Sequence, residues 1–124
     1  MLESKLYAHL STVAAVTTVI GTRLYPVVLP QDPDYPCVSY QRIDSVKIND
    51  LQGYSTLEDV RMQIDVWGTT YKGVRDFTSV IHTAMASATA YKSIMISDTD
   101  LSEMLEDGII IYRISMDFSV WNRE

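Results

Sequence analysis

The sequence predicts an α+β fold in which a largely antiparallel four-stranded sheet carries helices packed on one face. Two long segments alternate apolar and polar residues with a period of two, which is typical of half-buried strands. Between them, apolar residues recur at the spacing of a helix. Since the strand patterns come in pairs separated by this helix, residues 1–124 are predicted to form a single domain with the order α-α-β-β-α-β-β.

The N-terminal third is predicted to contain two short helices and an extended loop. The apolar face of a first helix, over 2–10, consists of Leu2, Leu6, Tyr7 and Leu10. Ser11 and Thr12 can cap a second short helix, which Gly21 is placed to end. All four prolines fall within 25–36. Because proline lacks a backbone donor and holds its predecessor extended, this segment is predicted to be a loop.

The rest of the chain is predicted to form four strands and a longer helix. The strands are expected at about 37–47, 57–67, 93–98 and 109–122, and the helix follows Tyr71 and runs to about Ala88. The apolar faces of the second and last strands are Val60, Met62, Ile64 and Val66, and Ile110, Tyr112, Ile114, Met116, Phe118 and Val120. An acidic connection follows the third strand, and Asp107-Gly108 is typical of a hairpin turn.

An Arg and an Asp recur four residues apart on the polar faces of the second and last strands, as Arg61 and Asp65 and as Arg113 and Asp117. An antiparallel pairing with Ile64 opposite Ile114 places each Arg opposite an Asp and also aligns the apolar residues. A slip by one residue would turn every side chain to the wrong face, so a firmly held register is expected. The last strand is therefore predicted to lie inside the sheet, with the third strand outside it.

No set of residues in the sequence has the spacing of a known catalytic, nucleotide-binding or metal-binding motif. The five glycines fit neither a phosphate-binding loop nor a dinucleotide fingerprint, and His9 and His82 lack metal-ligand spacing. The segment that starts at Asp98 resembles the beginning of a calcium loop but has Glu103 where glycine is needed. No catalytic, cofactor or metal site is therefore predicted, and the chain is not expected to be an enzyme.

Charge and composition narrow the class of protein. The net charge is −6, and the ten Lys and Arg are scattered rather than clustered. The sequence therefore predicts no basic surface that would bind the phosphates of a nucleic acid. No apolar run approaches the roughly 20 residues that span a bilayer. The N-terminus lacks the features of a signal peptide, and Cys37 is the single cysteine. We expect synthesis in the cytoplasm, no membrane contact and no specific DNA binding.

Several motifs, taken together, resemble the tail completion (tail terminator) proteins of long-tailed phages and prophages. They are Gly21-Thr22-Arg23-Leu24-Tyr25-Pro26, Tyr35-Pro36-Cys37-Val38-Ser39-Tyr40-Gln41, Val60 to Trp67 with Thr70-Tyr71, and Tyr112-Arg113 with Asp117 to Trp121. The resemblance covers essentially the whole chain. It implies a structural virion protein, assembled in the host cytoplasm, that forms a hexameric ring at the head-proximal end of the tail.

The resemblance also implies partners. Such a ring stops polymerisation of the tail tube protein and joins the tube to the head connector or stopper protein, and DNA passes through its lumen. A head-side neck position is the alternative placement within this class. The resemblance carries over no catalytic residues and no cofactor. Because the chain is acidic, Asp and Glu are expected to outnumber Lys and Arg around the lumen, where like charge keeps DNA from sticking.

The two longest loops supply the candidate contact residues. Long loops in a small domain tend to be functional, and apolar residues on them are natural anchors for a partner. The interface candidates are Tyr25, Val27, Val28, Leu29, Tyr35, Leu51 and Tyr54. The alternative is that these residues fold back onto their own core. A small α+β enzyme or ligand-binding domain that uses His82 or Cys37 is the alternative from another class.

Overall fold

The elements follow the predicted order, with one additional short strand. The computed structural model describes residues 1–31, 33–50, 53–104 and 108–123, and the side chains of 48–50, 53–56 and 103–104 are outside the description. The elements are α1 (Leu2–Leu10), α2 (Ala14–Ile20), β1 (Leu24–Pro26), β2 (Cys37–Asp50), β3 (Gly53–Gly68), α3 (Tyr71–Ala86), β4 (Lys92–Met104) and β5 (Ile110–Arg123).

The two N-terminal helices bury narrow apolar faces. The core residues of α1 are Leu2, Leu6 and Leu10, which repeat every four positions. Tyr7 was predicted to lie on the same apolar face, but it is 42% exposed, so this part of the prediction is wrong. The predicted cap of α2 is wrong: Val13 is the N-cap, and no side chain caps this end. Thr12 instead donates its hydroxyl to the His9 carbonyl at the end of α1. Gly21 ends α2 with a φ of +58°, as predicted.

The long helix α3 lies across the sheet. Its start is fixed by Thr70, whose hydroxyl accepts a hydrogen bond from the Gly73 N–H at 3.2 Å. Its buried stripe is Val74, Phe77, Thr78, Ile81, Ala84 and Met85. In the part of the chain that the structure describes, no helix has the length and hydrophobicity needed to cross a membrane.

The sheet has five strands in the order β1-β2-β3-β5-β4, so the prediction of four strands is wrong. The extra strand β1 pairs in parallel with β2, with Leu24 opposite Val38, and all other neighbours are antiparallel. It was missed because a strand of three residues that ends at Pro26 has no measurable alternation. Proline is tolerated there because β1 is an edge strand.

The outer strand β4 is longer than predicted, since it continues through the acidic segment to Met104. Asp98 and Asp100 pair in the ladder with Met116 and Ile114 of β5. Their carboxylates accept hydrogen bonds from Arg75 of α3, at 2.9 and 2.6 Å. The sequence suggested a solvated connection because the neutralising arginine lies 23 or more residues away on another element.

The pairing of β3 with β5 is antiparallel as predicted, but the predicted register is wrong by two residues. Ile64 lies opposite Met116 rather than Ile114. The predicted ion pairs nevertheless form, as diagonal contacts: Arg61 Nε donates to Asp117 at 2.9 Å and Arg113 Nε donates to Asp65 at 3.0 Å. Because an arginine side chain reaches either the opposite or the diagonal residue, these pairs cannot distinguish registers that differ by two.

One hydrophobic core lies between the three helices and one face of the sheet. The sheet residues at its centre are at most 1% exposed and are Val60, Met62, Ile64, Val66, Ile114, Met116, Phe118 and Val120. A shift by two residues keeps every one of these side chains on the same face. The apolar pattern therefore fixed the face correctly even though the register was wrong.

Candidate functional site

The sheet face opposite the helices carries the polar residues that the alternation predicted. We call it the helix-free face. Its central residues are Arg61, Gln63, Asp65 and Trp67 of β3 and Arg113, Ser115, Asp117 and Ser119 of β5. The three helices cover the other face. We therefore assign the candidate functional site to the helix-free face and the loop beside it.

At one end of this face, a polar cluster surrounds the carboxylate of Asp65, which is 4% exposed. Two nitrogens of Arg113 donate to Asp65 Oδ2, at 3.0 and 2.6 Å, and Gln63 Nε2 lies 3.1 Å from both carboxylate oxygens. The Arg113 guanidinium lies 4.6 Å from the centre of the Trp67 ring, and Trp67 Nε1 donates to Ser39 Oγ at 3.1 Å. These hydrogen bonds and the stacked guanidinium tie the cluster together, and we call it the platform.

The proline-rich loop lies over this platform. A groove of about 350 Å³ separates them, lined on the loop side by Val27, Val28, Leu29, Pro30, Pro33 and Tyr35. The Val27 N–H donates to the Tyr40 carbonyl at 2.8 Å, which anchors the loop to β2. Val27 has a φ of +65°, a conformation that β-branched residues rarely adopt. A strained residue held at an exposed loop is a recognised sign of a functional position.

The interface candidates divide between exposed and half-buried positions. Val27 and Val28 are 60% and 71% exposed. Tyr25, Leu29 and Tyr35 are half-buried. Leu51 lies outside the described residues, and the same holds for the side chain of Tyr54, whose backbone pairs with Asn49. The two exposed valines are therefore the candidates that the structure leaves open to a partner.

A second depression crosses the middle of the helix-free face, with a volume of about 430 Å³. Its lining comes from all four long strands and comprises Ile43, Asp44, Arg61, Gln63, Ser97, Thr99, Ser115 and Asp117. Exposed apolar side chains lie in or beside this depression. They are Ile43 and Val46 on β2 and Ile94 and Leu101 on β4. Sequence reasoning missed these residues, although four aliphatic side chains on otherwise polar strand faces were a readable signal.

The two residues of the enzyme alternative differ in their exposure to solvent. Cys37 is fully buried, and burial raises the pKa of its thiol to about 11, although the nearby Arg23 charge acts in the opposite direction. A thiol with this pKa is almost entirely protonated at neutral pH and is a poor nucleophile. His82 is exposed on α3, with its ring 6.5 Å from that of Phe118.

The segment that resembles a calcium loop is occupied by an ion-pair network. Asp98 and Asp100 both accept from Arg75, and the Tyr71 hydroxyl donates to Asp100 at 2.9 Å. Across residues 1–31, 33–50, 53–104 and 108–123, no group of three or more His, Cys, Asp or Glu is arranged to hold a metal ion. Asp98 and Asp100 therefore dock α3 onto the outer strand.

Comparison with known proteins identifies a family whose model matches almost the whole chain. The model of the family described as "Tail completion protein gp17" matches residues 4–123. A chain in a solved structure, "Virion of native gene transfer agent (GTA) particle", superposes with a TM-score of 0.71 at 17% sequence identity. That match covers 99% of this chain and 95% of the other, and at this identity it shows a shared fold. No curated protein matches the sequence significantly.

Proposed function

Because this chain belongs to the tail completion protein family and is a structural protein of the virion tail, we propose that six copies form a ring that terminates the tail tube and joins it to the head connector. The family match over residues 4–123 carries this proposal. The buried thiol and the paired carboxylates support a purely structural, non-enzymatic role. DNA would pass through the ring without specific binding.

Incubation of the purified protein with tail tubes tests the function. We expect electron microscopy to show a ring at one end of each tube, and tube protein added afterwards should no longer extend that end. Rings that bind only head connectors would instead place the protein on the neck side. Tubes that keep growing in its presence would contradict a terminating role.

The proline-rich loop is the proposed docking element for the tube or the connector. Val27 and Val28 are exposed, and their loop is held above the platform by the hydrogen bond from Val27 to Tyr40. An apolar anchor on a pre-ordered loop binds well because little entropy is lost on docking. Hydrophobic residues that are exposed in one chain and buried against a partner are the usual centre of an interface.

Replacement of Val28 by aspartate is expected to weaken tail binding at least tenfold while leaving the fold intact. An unpaired carboxylate buried in an interface costs more than about 1.4 kcal/mol, which is the free energy of a tenfold loss of affinity. In the free chain the side chain is 71% exposed, so the free energy of unfolding should change by no more than about 0.5 kcal/mol. Co-sedimentation with tail tubes and urea unfolding measure the two quantities.

The matched control is Val19→Asp, which places the same charge on the exposed side of α2, where 38% of the valine is accessible. This variant should bind tails like the wild type. If Val28→Asp binds normally and Val19→Asp does not, the docking surface lies on α2 rather than on the loop.

We also propose that the lumen of the ring is acidic. The net charge of the chain is −6, and its ten Lys and Arg are not clustered in the sequence. Assembled rings should therefore not retain DNA at about 0.15 M salt, where interactions beyond roughly 8 Å are screened and only direct phosphate contacts would hold it. A filter-binding assay measures this. A belt of Arg or Lys along the channel would contradict the proposal.

A further inference from the structure

We infer that neighbouring copies in the ring contact each other edge to edge, with β4 of one copy lying antiparallel to the open part of β2 in the next. The inference rests on the proposed ring and adds the surface through which it closes. It assigns a role to the exposed aliphatic residues of β2 and β4, which the proposed tail contact does not use.

The first observation concerns the backbone at the two margins of the sheet. β4 is the last strand at one margin, so in the described residues only its β5 side is paired. At the other margin, β1 pairs with β2 only over Val38–Tyr40, and no described strand covers the outer side of β2 from Gln41 onward. A strand from another chain can add to a sheet at edges of this kind.

The second observation concerns the side chains beside these edges on the helix-free face. Ile43 and Val46 of β2 are 53% and 54% exposed, and Ile94 and Leu101 of β4 are 64% and 42% exposed. If the sheet continued from one copy into the next, these aliphatic side chains would meet on the same face and lose contact with water. Burial of each would contribute about 25 cal/mol per Å² of apolar surface.

The third observation concerns charge on the opposite face, where the helices lie. On β4, Asp98 and Asp100 share a single arginine, Arg75, which leaves one excess negative charge. On β2, the described charged side chains on this face are Arg42 and Lys47, which form ion pairs with Glu3 and Glu58. On this face, the described charged side chains of β4 are therefore acidic and those of β2 are basic, so the two edges are complementary in the sign of these side chains.

The same charges select how the copies are arranged. Pairing of β4 with β4 of a second copy would bring Asp98 and Asp100 of both copies together, and like charges across strands are destabilising. Pairing of β4 with β2 instead joins two different surfaces. Such a head-to-tail interface does not stop at two copies and generates a closed ring when its rotation closes.

Strand direction is compatible with this arrangement. β2, β3, β5 and β4 alternate in direction across the sheet, so β4 runs opposite to β2. In a ring whose axis lies roughly along the strands, rotation from one copy to the next preserves these directions. β4 of one copy therefore meets β2 of the next in the antiparallel sense, like the three ladders between the long strands within each copy.

Two double variants test the inference. Ile94→Lys with Leu101→Lys blocks the β4 edge, and Ile43→Lys with Val46→Lys blocks the β2 edge. All four side chains are more than 40% exposed, so both variants should fold, and urea unfolding checks this. We expect each variant alone to be monomeric by light scattering and to form no ring on tail tubes. An equimolar mixture should form dimers and nothing larger, because only one intact pair of edges remains.

The control is Tyr7→Lys with Val19→Lys, which places two lysines on exposed positions of α1 and α2, and it should assemble like the wild type. If both blocked variants still form rings, the edge contact is wrong while the proposed function stands. If the mixture stays monomeric while the wild type forms rings, the two edges do not contact each other. If the wild type itself forms no ring in solution or on tubes, the proposed function fails as well.

Discussion

Replacement of Glu58 by leucine is expected to lower the free energy of unfolding by about 3 kcal/mol. The Glu58 side chain is fully buried in β3 and accepts hydrogen bonds from Asn122 at 2.9 Å and from Lys47 at 3.0 Å. Arg42 Nη1 lies 3.6 Å from the same carboxylate. Leucine would leave these donors facing an apolar group. Since the Lys47 side chain is 51% exposed and can be rehydrated, we expect the lower end of the usual range of about 3–5 kcal/mol.

The same residue should make stability depend on acid. Burial raises the pKa of Glu58, but the hydrogen bonds from Asn122 and Lys47 and the charge of Arg42 outweigh burial, so the pKa lies below its usual value of 4.5. A lowered pKa contributes stability that is present above pH 4.5 and is lost as the pH falls through the folded-state value. Urea unfolding of wild type and Glu58→Gln should therefore converge below pH 4.5. A constant gap between them would show that the charge contributes nothing.

Replacement of Arg113 by methionine is expected to cost about 3 kcal/mol, because it leaves the Asp65 carboxylate buried without its cation. Asp65 is 4% exposed and receives two hydrogen bonds from Arg113. Among the described side chains, Gln63 would remain as the hydrogen-bond donor to the carboxylate, and the contact of the guanidinium with the Trp67 ring would also be lost. Urea unfolding measures the change, and loss of the platform should also reduce the order of the proline-rich loop above it.

The partner substitution distinguishes this explanation from simple loss of packing. Asp65→Asn in the Arg113→Met background should restore part of the stability, since an amide is far cheaper to bury than an unpaired carboxylate. Arg61→Met is the matched control, because Arg61 forms the equivalent contact with Asp117 but its side chain is 47% exposed. It should cost much less. Equal losses for the two arginines would mean that burial of Asp65 is not the cause.

The fold was predictable wherever one residue pattern has a single physical solution. Leucines four positions apart can only share a helix face, and α1 was predicted with the bounds that the structure shows. The alternating residues of β3, and those of β5 from Ile114 to Val120, likewise fixed which side chains enter the core. At the start of β5 the prediction was wrong, because Ile110 is 40% exposed and Ile111 is buried. Register was not fixed in the same way, because a shift by two residues preserves both the buried face and the reach of each Arg–Asp pair.

The candidate site was predictable only in part, for the same reason. The Arg and Asp positions on the helix-free face were readable because they recur in two strands. β1 and the extension of β4 were not readable, because both depend on partners distant in sequence: β2 supplies the ladder for Leu24, and Arg75 neutralises Asp98 and Asp100. Tertiary contacts of this kind override local propensity.

The burial of Cys37 makes its thiol a built-in probe of local unfolding. The thiol lies at the first residue of β2, beside the junction with β1, and cannot meet a reagent until this end of the sheet separates. Its rate of alkylation therefore reports the free energy of that local opening rather than the intrinsic reactivity of a free thiol. Since it is the single cysteine in the sequence, the signal belongs to one position and can be followed before and after subunits assemble.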